Sequence, residues 1–289
     1  MDIPPIPFRT ALLGAGSVGT AVAELLRRAG DRPIAVSSRT EASARRAAEM
    51  LGAPVTSAAG CARADVILVG APDAALSEID GILAPEIGPG QVVWHFAGAY
   101  GIEPFPGVAR AGAGVAALHP VQACPSVDAA IARLPGSAWG ITSSEGLDAW
   151  AQAVVSAHLD GTPVPVAESD RPAWHAAGVV TSNGMAALMA TGERILTGIG
   201  IDAPEAVLGP LARGTIQNAI ESGGGADALT GPVVRGDAGT VERHVAALRA
   251  RDAELVQAYI RTSLSILETA VRIGRVDEAT AVEMKEVLR

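Results

Sequence analysis

The chain has 289 residues, of which 49% are hydrophobic and 3% aromatic, and its formal net charge is −9. This acidic balance argues against a nucleic-acid-binding protein, because a surface that contacts phosphates should be basic. Lys285 is the only lysine among the 22 basic residues, which excludes a P-loop and a Schiff-base lysine in the core. The two cysteines, Cys61 and Cys124, form neither a disulfide framework nor a metal-binding motif, and we expect no bound metal.

The chain also lacks the sequence features of membrane and secreted proteins. No apolar run reaches the roughly 18 residues that a membrane span needs. The N-terminal segment Met1–Pro5 has no basic stretch followed by an apolar one, so we expect no signal peptide. A soluble cytoplasmic protein with a small-molecule substrate is therefore expected, without nucleic-acid or membrane partners.

Short apolar runs alternate with helical patterns over residues 1–166. Seven runs are predicted to be strands: Phe8–Leu13, Pro33–Ser37, Asp65–Gly70, Gln91–Phe96, Val115–Leu118, Ala138–Thr142 and Pro163–Ala167. Helical periodicity lies between several of them, at Ser17–Ala29, Glu41–Leu51, Ala74–Leu83 and Gly146–His158. Apolar strands that alternate with helices predict an α/β domain with a parallel sheet covered on both faces.

After residue 166 the strand pattern disappears. Helical periodicity then runs through Arg171–Leu196, Ala203–Ser222, Thr240–Gly274 and Asp277–Leu288. We therefore predict two domains, an α/β domain at residues 1–166 and an all-α domain at residues 167–289. The Ala-rich helices from Thr240 to Leu288 offer more apolar surface than a small domain can bury, which predicts a homodimer through the helical domain.

The strongest motif is a G-x-G-x-x-G pattern between the first apolar strand and the first helix. In this pattern Gly14 permits a tight turn, Gly16 lets a diphosphate approach the backbone, and Gly19 lets the helix pack closely against the strand. The helix N-terminus offers free N–H groups and a partial positive charge. The predicted cofactor-binding residues are Gly14, Ala15, Gly16, Ser17, Val18 and Gly19. The alternative is an ordinary glycine-rich turn.

The residues after the second strand indicate which dinucleotide is bound. An NAD site needs an acidic residue about 20 residues past the motif, but Ser38 and Arg39 occupy that region and the first carboxylate is Glu41. A hydroxyl and a guanidinium suit a 2′-phosphate, which predicts NADP, unless Arg39 is merely a solvated surface residue. Ala71 and Pro72, in the turn after the third strand, are expected beside the nicotinamide ribose.

Histidines supply the candidate acids. His119 ends an apolar strand, from which it would point into the ligand crevice and protonate an alkoxide or orient a carbonyl, with Gln122 close by. The alternative is a histidine satisfied by local backbone. His95 lies inside a predicted strand, a position more typical of a structural histidine.

The helical region adds a second group of candidates. His175 and Asn183 are eight residues apart, so both can lie on one broad face of a helix. Asparagine is a poor helix former, so its amide is expected to have a partner, either a substrate or another helix. Ser182 precedes Asn183 and is a predicted substrate-binding residue. In the loop that follows, Arg235 could clamp a substrate carboxylate or pair with Asp237 as a structural tie, and both are candidate substrate-binding residues.

These fragments together resemble the "Rossmann-like plus DUF 2520" proteins, over nearly the whole chain. The matching segments are Gly14–Gly19, Ala71–Asp73, Leu118–Pro120, Ser182–Asn183 and Gly231–Asp237, of which the last is the most specific. The resemblance implies NADPH, a Rossmann domain, and a helical domain of the 6-phosphogluconate-dehydrogenase type that commonly dimerises. Ketopantoate reductase, the β-hydroxyacid dehydrogenases and pyrroline-carboxylate reductase are more distant relatives, and the family's own substrates are largely unassigned.

The resemblance also shows where this chain departs from those relatives. Ketopantoate reductase and the β-hydroxyacid dehydrogenases place a catalytic lysine four residues before an asparagine, and the matching pair here is Val179 and Asn183. Ala97 stands where relatives often have serine. Hydride transfer would therefore need a different acid, for which His119, His175 and water are the candidates.

Two functions follow from these considerations. The first is an NADPH-dependent reductase of a small carbonyl compound, such as the 2-keto acid ketopantoate, or of an imine, which is easier to reduce without a strong acid. In it His119 would donate the proton, Asn183 would orient the carbonyl, and Arg235 would pair with a carboxylate. The second, suggested by the missing lysine, is an NADP-binding regulatory or scaffold protein without turnover.

Overall fold

A computed structural model describes residues 7–289, which form two compact units divided after Ser182. The segment Met1–Pro5, for which no signal peptide is expected, lies outside the described residues. Each unit has its own hydrophobic core. Within the described residues no helix is both long and apolar enough to cross a membrane.

Seven strands in the first unit form one sheet in the order β2-β1-β3-β4-β5-β6-β7. They are β1 (Arg9–Leu13), β2 (Arg32–Ser37), β3 (Val66–Val69), β4 (Val92–His95), β5 (Gly114–Pro120), β6 (Ala138–Ser143) and β7 (Thr162–Pro165). All seven predicted strands are present. The sheet is mostly parallel, as predicted, with one exception: β6 runs antiparallel to β5 and pairs in parallel with β7.

The reversal at β6 follows from the connection that precedes it. Between Pro120 and Ala138 the only helix is α5 (Val127–Arg133), which has seven residues and is therefore about 10 Å long. A parallel crossover needs a segment that carries the chain back along the whole strand, and α5 is too short for that. The chain therefore begins β6 close to the point where β5 ends, and β6 runs back in the opposite direction.

Helices cover both faces of the sheet, as predicted. They are α1 (Ser17–Arg28), α2 (Glu41–Leu51), α3 (Leu76–Leu83), α4 (Pro106–Arg110), α5 and α6 (Asp148–His158). The alternation of side chains along β3 serves two cores: Val66 and Leu68 face one, and Ile67 and Val69 face the other. The sequence did not predict α4 and α5, because five and seven residues are too few to show helical periodicity.

The edges of the sheet are β2 and β7. Backbone amides of Thr162 and Val166 donate toward β6, and the residues whose nitrogens face away from β6 are Pro163 and Pro165. On the opposite side, Val36 of β2 forms a bridge with Val55, which covers part of that edge.

The second unit is helical, as predicted. It contains the C-terminal part of α7 (Arg171–Thr197), followed by α8 (Pro204–Glu221), α9 (Ala238–Arg249), α10 (Ala253–Arg272) and α11 (Glu278–Val287). The predicted helical stretch Thr240–Gly274 is divided into α9 and α10, because Asp252 caps α10 by accepting hydrogen bonds from the amides of Glu254 and Leu255.

The apolar surface of the second unit lies elsewhere than the sequence predicted. The helices between Thr240 and Leu288 bury their apolar side chains against one another in a shared core. The exposed apolar residues are instead concentrated on α7 and α8, where Leu188, Leu211 and Ile220 are 53%, 66% and 69% exposed. No residue of α8 is buried, in contrast to every other helix of ten or more residues in the described part of the chain.

Candidate active site

The glycine motif lies where β1 turns into α1, beside the end of β3. A Cβ on Gly14 would lie 2.7 Å from the nitrogen of Ala71, and one on Gly16 would lie 2.6 Å from the carbonyl oxygen of Gly70. A Cβ on Gly19 would lie 2.7 Å from the Cα of Gly70. In the sheet, β1 lies between β2 and β3, so the strand order reverses direction at β1. The turn after β1 therefore lies at the switch point of the sheet, where such folds bind ligands.

The loop keeps free amides for an anion. The amide of Gly14 donates to the carbonyl oxygen of Ser37 at 2.8 Å, and that of Gly16 donates to Gly70 at 3.2 Å, which fixes the turn. Gly16 is the N-cap of α1, and no side chain caps the helix. Within residues 7–289 the amides of the first helical turn, Ser17 to Gly19, therefore have no acceptor. A cradle without side chains and a helix N-terminus with free donors fit a dinucleotide diphosphate.

The end of β2 lies against this cradle. The Ser38 hydroxyl accepts a weak hydrogen bond from the amide of Ala15, at 3.4 Å. Arg39 is exposed and forms no hydrogen bond or ion pair in the described part of the chain. Thr40 caps α2 by accepting from the amide of Ser43 at 3.3 Å. A hydroxyl and an unpaired guanidinium therefore follow β2 in the described part of the chain.

Two imidazoles lie close together at the carboxyl ends of β4 and β5. Their ring centroids, in His119 and His175, are 5.4 Å apart, and the ring planes make an angle of 82°. The indole Nε1 of Trp174 donates to His119 Nδ1 at 3.2 Å. A Cβ on Gly98 would collide with the ring of His175 and lie 2.9 Å from His119 Nε2, so the pair requires glycine there. The sequence predicted both histidines, but not Trp174 or Gly98.

His119 is neutral around pH 7. Burial is the main cause that lowers its pKa to about 4, and the charge of Arg171 and the neighbouring His175 lower it further. The Nε2 atom is not buried and has no hydrogen-bond partner within residues 7–289. In contrast, His175 Nδ1 is buried and has no partner in the same range. His119 therefore presents one free ring nitrogen to a ligand.

Arg171 anchors the start of α7, a role that the sequence did not predict. Its side chain is completely buried, and it donates three hydrogen bonds to carbonyl oxygens: Nε to Tyr100 at 3.0 Å, Nη1 to Gly140 at 3.1 Å and Nη2 to Ala97 at 2.6 Å. The guanidinium thus joins the loop after β4 to β6 at the start of α7, the helix that carries His175. The only signal in the sequence was an arginine at the first position of a predicted helix, which is not diagnostic.

His95 has the structural role that its position in a strand favours. It is fully buried, its Nε2 lies 2.6 Å from the carbonyl oxygen of Gly101, and its Nδ1 accepts from the amide of Ala97 at 3.3 Å. Burial lowers its pKa to about 4. Both ring nitrogens are engaged by backbone, so His95 holds the loop after β4.

Acidification is expected to destabilise the protein between pH 6.5 and 4, because His95 and His119 have pKa values lowered from 6.5 to about 4. In this window the unfolded chain binds protons that the folded chain does not. The free energy of unfolding therefore decreases as the pH is lowered, by up to about 1.4 kcal/mol per pH unit for each histidine. Above pH 6.5 both histidines are neutral in the folded and the unfolded chain, so the folded state keeps its full stability.

Urea unfolding at about pH 7.5 and about pH 5 measures this dependence. The His95→Gln variant should show a shallower loss of stability on acidification than the wild type. Equal pH dependence in the two proteins would contradict the proposed contribution of His95.

The remaining predicted residues differ in their surroundings. The Gln122 amide donates to the carbonyl oxygen of Arg133 and to the hydroxyl of Ser137, both at 3.3 Å, so it is engaged in its own loop. Ser182 and Asn183 are exposed, and neither side chain forms a hydrogen bond in the described part of the chain. The protein partner expected for the Asn183 amide is therefore not found there.

The loop Gly231–Asp237 resolves one alternative. The carboxylate of Asp237 accepts from the amide of Thr240 at 3.0 Å and caps α9. The Thr240 contacts are the main cause of the lowered pKa of Asp237. Arg235 is exposed and, in the range 7–289, forms no ion pair with Asp237 or any other carboxylate. The two side chains thus form no hydrogen-bonded tie there, although the charge of Arg235 is near enough to help lower the pKa of Asp237, and the guanidinium is exposed.

The sheet order, the glycine cradle at its switch point and the helical region that follows define a dinucleotide-binding Rossmann protein. Residues 2–120 match the family model of a Rossmann-like domain, and residues 137–266 match the domain of unknown function DUF2520. The two matches together span most of the chain, and the predicted resemblance to the Rossmann-like plus DUF2520 proteins is confirmed.

Several solved structures have the same fold. One is a candidate NADP oxidoreductase from Bacteroides fragilis, with a TM-score of 0.77, 26% identity, and coverage of 90% of this chain and 98% of that one. A reductive aminase from Aspergillus terreus, in complex with NADPH and ethyl levulinate, has a TM-score of 0.69 at 17% identity, with 96% and 99% covered. An imine reductase from Myxococcus stipitatus, in complex with NADP+, has a TM-score of 0.65 at 16% identity, with 96% and 99% covered. Among curated protein sequences, none matches this chain.

Proposed function

We propose that this protein is an NADP-dependent oxidoreductase that reduces a small carbonyl or imine substrate. The observation that carries the proposal is the side-chain-free cradle of Gly14, Gly16 and Gly19 with the free amides of α1. The candidate NADP oxidoreductase of Bacteroides fragilis, at 26% identity over 90% of this chain, supports the same cofactor and reaction type.

Each part of the cofactor has proposed ligands. The segment Gly14–Gly19 would hold the diphosphate, Ser38 and Arg39 the 2′-phosphate, and Ala71 and Pro72 would border the nicotinamide ribose. The bound nicotinamide would supply the hydride. We propose that His119, and not a lysine, meets the substrate atom that gains a proton.

The state of His119 bears on the class of substrate. A neutral imidazole with a pKa of about 4 donates a hydrogen bond but is a poor source of protons at pH 7. It therefore suits a neutral imine, whose basic nitrogen can accept the hydrogen bond from Nε2–H and draw its proton from water as the hydride arrives, better than an unactivated ketone. We propose substrate-binding roles for Ser182, Asn183 and Arg235 on their chemistry alone, because each is exposed and unpaired within residues 7–289.

The test is NADPH oxidation by the purified protein with a panel of cyclic imines, 2-keto acids and aldehydes, each with and without ammonia or a primary amine. Turnover with imines or with a carbonyl plus an amine supports the proposal in full. Turnover with 2-keto acids alone supports the oxidoreductase but rejects the imine. Binding of NADPH without turnover on any substrate would favour a regulatory or scaffold protein.

The Arg39→Ala variant should bind NADPH about 10- to 30-fold more weakly and bind NADH unchanged, because only NADPH carries the phosphate that the guanidinium would pair with. Fluorescence titration with both nucleotides measures the effect. The control is Arg63→Ala, which removes an exposed arginine that precedes β3. Loss of affinity for both nucleotides, or for neither, would contradict the assigned role of Arg39.

The Gly16→Ala variant should weaken NADPH binding by between about tenfold and about 100-fold. The new methyl would lie 2.6 Å from the carbonyl oxygen of Gly70, a backbone atom that cannot yield without moving the end of β3. Such overpacking costs about 1–3 kcal/mol. The free loop can relieve it by shifting away from β3, so NADPH would have to restore the strained geometry on binding, which lowers the affinity by up to that range. Gly88→Ala is the matched control, because nothing lies within 4 Å of its added methyl. Equal NADPH affinity in Gly16→Ala and wild type would remove the cradle from the cofactor site.

We also propose a homodimer through α7 and α8. An 18-residue helix without a single buried residue, and with Leu211 and Ile220 exposed by 66% and 69%, presents the kind of apolar surface that a second copy of the chain covers. Light scattering at micromolar concentration should give a dimer, and Leu211→Glu should give a monomer. The control Val282→Glu changes an exposed residue of α11 and should leave the dimer intact. A monomeric wild type would refute this proposal.

A further inference from the structure

We propose that Trp174 is a positioning residue that fixes the proton of His119 on Nε2. The inference rests on the proposed function, in which Nε2 of His119 faces the substrate. Trp174 itself would touch neither substrate nor cofactor. It would act through His119 by determining which ring nitrogen carries hydrogen.

The argument begins with the chemistry of the two side chains. An indole Nε1–H donates hydrogen bonds and cannot accept them. Because it points at His119 Nδ1 at 3.2 Å, that nitrogen must offer a lone pair. A neutral imidazole with its lone pair on Nδ1 carries its hydrogen on Nε2. The other tautomer and the imidazolium would both place an N–H against the indole N–H.

The position of the indole follows from a glycine in the adjacent strand. His119 of β5 lies directly opposite Gly140 of β6 in the antiparallel register. The Trp174 indole lies over Gly140, where a Cβ would be only 2.6 Å from its Nε1 and Cε2 atoms. The absence of a side chain at Gly140 therefore lets the indole reach across β6 to His119.

The backbone that carries Trp174 is held independently. Three residues earlier, the guanidinium of Arg171 donates to the carbonyl oxygen of the same Gly140 at 3.1 Å. The start of α7 is thereby fixed to β6 at the residue over which the indole packs. Trp174 and His119 are thus held by neighbouring elements, and their contact is more than the chance encounter of two surface side chains.

The other three tryptophans differ from Trp174. Trp94 Nε1 donates to the backbone carbonyl oxygen of Leu118 at 3.5 Å. The indole nitrogens of Trp139 and Trp150 are buried without a partner within residues 7–289. Only Trp174, among the four, donates to a titratable side chain in the described structure. This contrast also supplies a control, because Trp150→Phe deletes an indole N–H that contacts no acceptor.

The test is ¹⁵N NMR of the full-length protein labelled at its five histidines, assigned by single substitutions. In the wild type, His119 should show a protonated Nε2 and an unprotonated Nδ1. Trp174→Phe keeps a ring over Gly140 but removes the donor, and should change the ratio of the two tautomers about fivefold toward Nδ1–H, the effect of one neutral hydrogen bond. Gly140→Ala, which displaces the indole, should change the ratio in the same direction, and Trp150→Phe should leave it unchanged.

The kinetic arm separates this inference from the proposed function. With a substrate from the panel, Trp174→Phe should lower kcat by no more than about fivefold, the change in the tautomer ratio, without changing the KM for NADPH. An unaltered tautomer ratio in a folded Trp174→Phe protein, or a wild-type His119 protonated on Nδ1, overturns the positioning role whatever the activity. If the tautomer shifts as expected but His119→Asn retains full activity, the positioning of His119 stands and its proposed function fails.

Discussion

Replacing Arg171 by methionine is expected to lower the free energy of unfolding by about 3–5 kcal/mol. Methionine can fill much of the volume, but it leaves the carbonyl oxygens of Ala97, Tyr100 and Gly140 without their donor. Each buried acceptor that loses its partner costs about 1–3 kcal/mol, which the loss of the buried charge only partly offsets. The free energy of unfolding of Arg171→Lys should lie between those of the wild type and Arg171→Met, because one ammonium cannot reach three carbonyl oxygens in three directions.

Urea unfolding followed by circular dichroism measures the difference. Arg110→Met is the matched control, since it replaces an exposed arginine at the end of α4 and should change stability by no more than about 0.5 kcal/mol. A loss below about 1 kcal/mol in Arg171→Met would mean that the three hydrogen bonds do not fix the start of α7.

The His119→Asn variant should lower kcat by about 10²- to 10⁴-fold on the substrate found in the panel, with NADPH affinity unchanged. Asparagine retains a short polar group near Nδ1, where its oxygen can accept from Trp174, but it has no atom at the position of Nε2. His119→Gln, whose amide nitrogen reaches toward the Nε2 position, should recover part of the lost rate.

Single-turnover measurements with bound NADPH separate the hydride-transfer step from cofactor binding. His175→Asn is the informative companion, because it removes the neighbouring imidazole but leaves the Trp174–His119 hydrogen bond. A loss of rate in His175→Asn alone, with His119→Asn fully active, would transfer the proposed role to His175.

The cofactor cradle could be predicted because its determinants are contiguous in the chain. One strand–turn–helix unit contains Gly14, Gly16 and Gly19, and their spacing is typical of a dinucleotide-binding turn. Gly70, against which all three pack, is the last residue of a predicted strand but lies more than 50 residues away along the chain. The need for glycine at that position arises only from the pairing of β1 with β3.

The surroundings of His119 could not be predicted for a related reason. They depend on the antiparallel register that places Gly140 opposite His119, and apolar periodicity does not give the direction of a strand. Arg171 and Trp174 reach the same point from a helix that begins about 50 residues after β5. The sequence could nominate the histidines by type and position, but their pKa values and partners are tertiary properties.

Helical periodicity located α7 and α8 within two residues at each end, yet it misplaced the exposed apolar surface. A periodic apolar pattern predicts that one face of a helix will be buried, but it does not predict which part of the same chain, or of another chain, will bury it. In α9 to α11 the cover is the other helices of the same unit. For α7 and α8 the structure of one chain supplies none for residues such as Leu188 and Leu211.

The prolines of β7 restrict how copies of this protein can associate. A sheet recruits a further strand by offering alternating N–H and C=O groups along its edge, and Pro163 and Pro165 remove the N–H donors from the outer side of β7. At the other edge, the bridge between Val36 and Val55 occupies part of β2. Growth of the sheet from chain to chain is thereby obstructed at both ends, which guards against strand-mediated aggregation and leaves helical surfaces as the route to self-association.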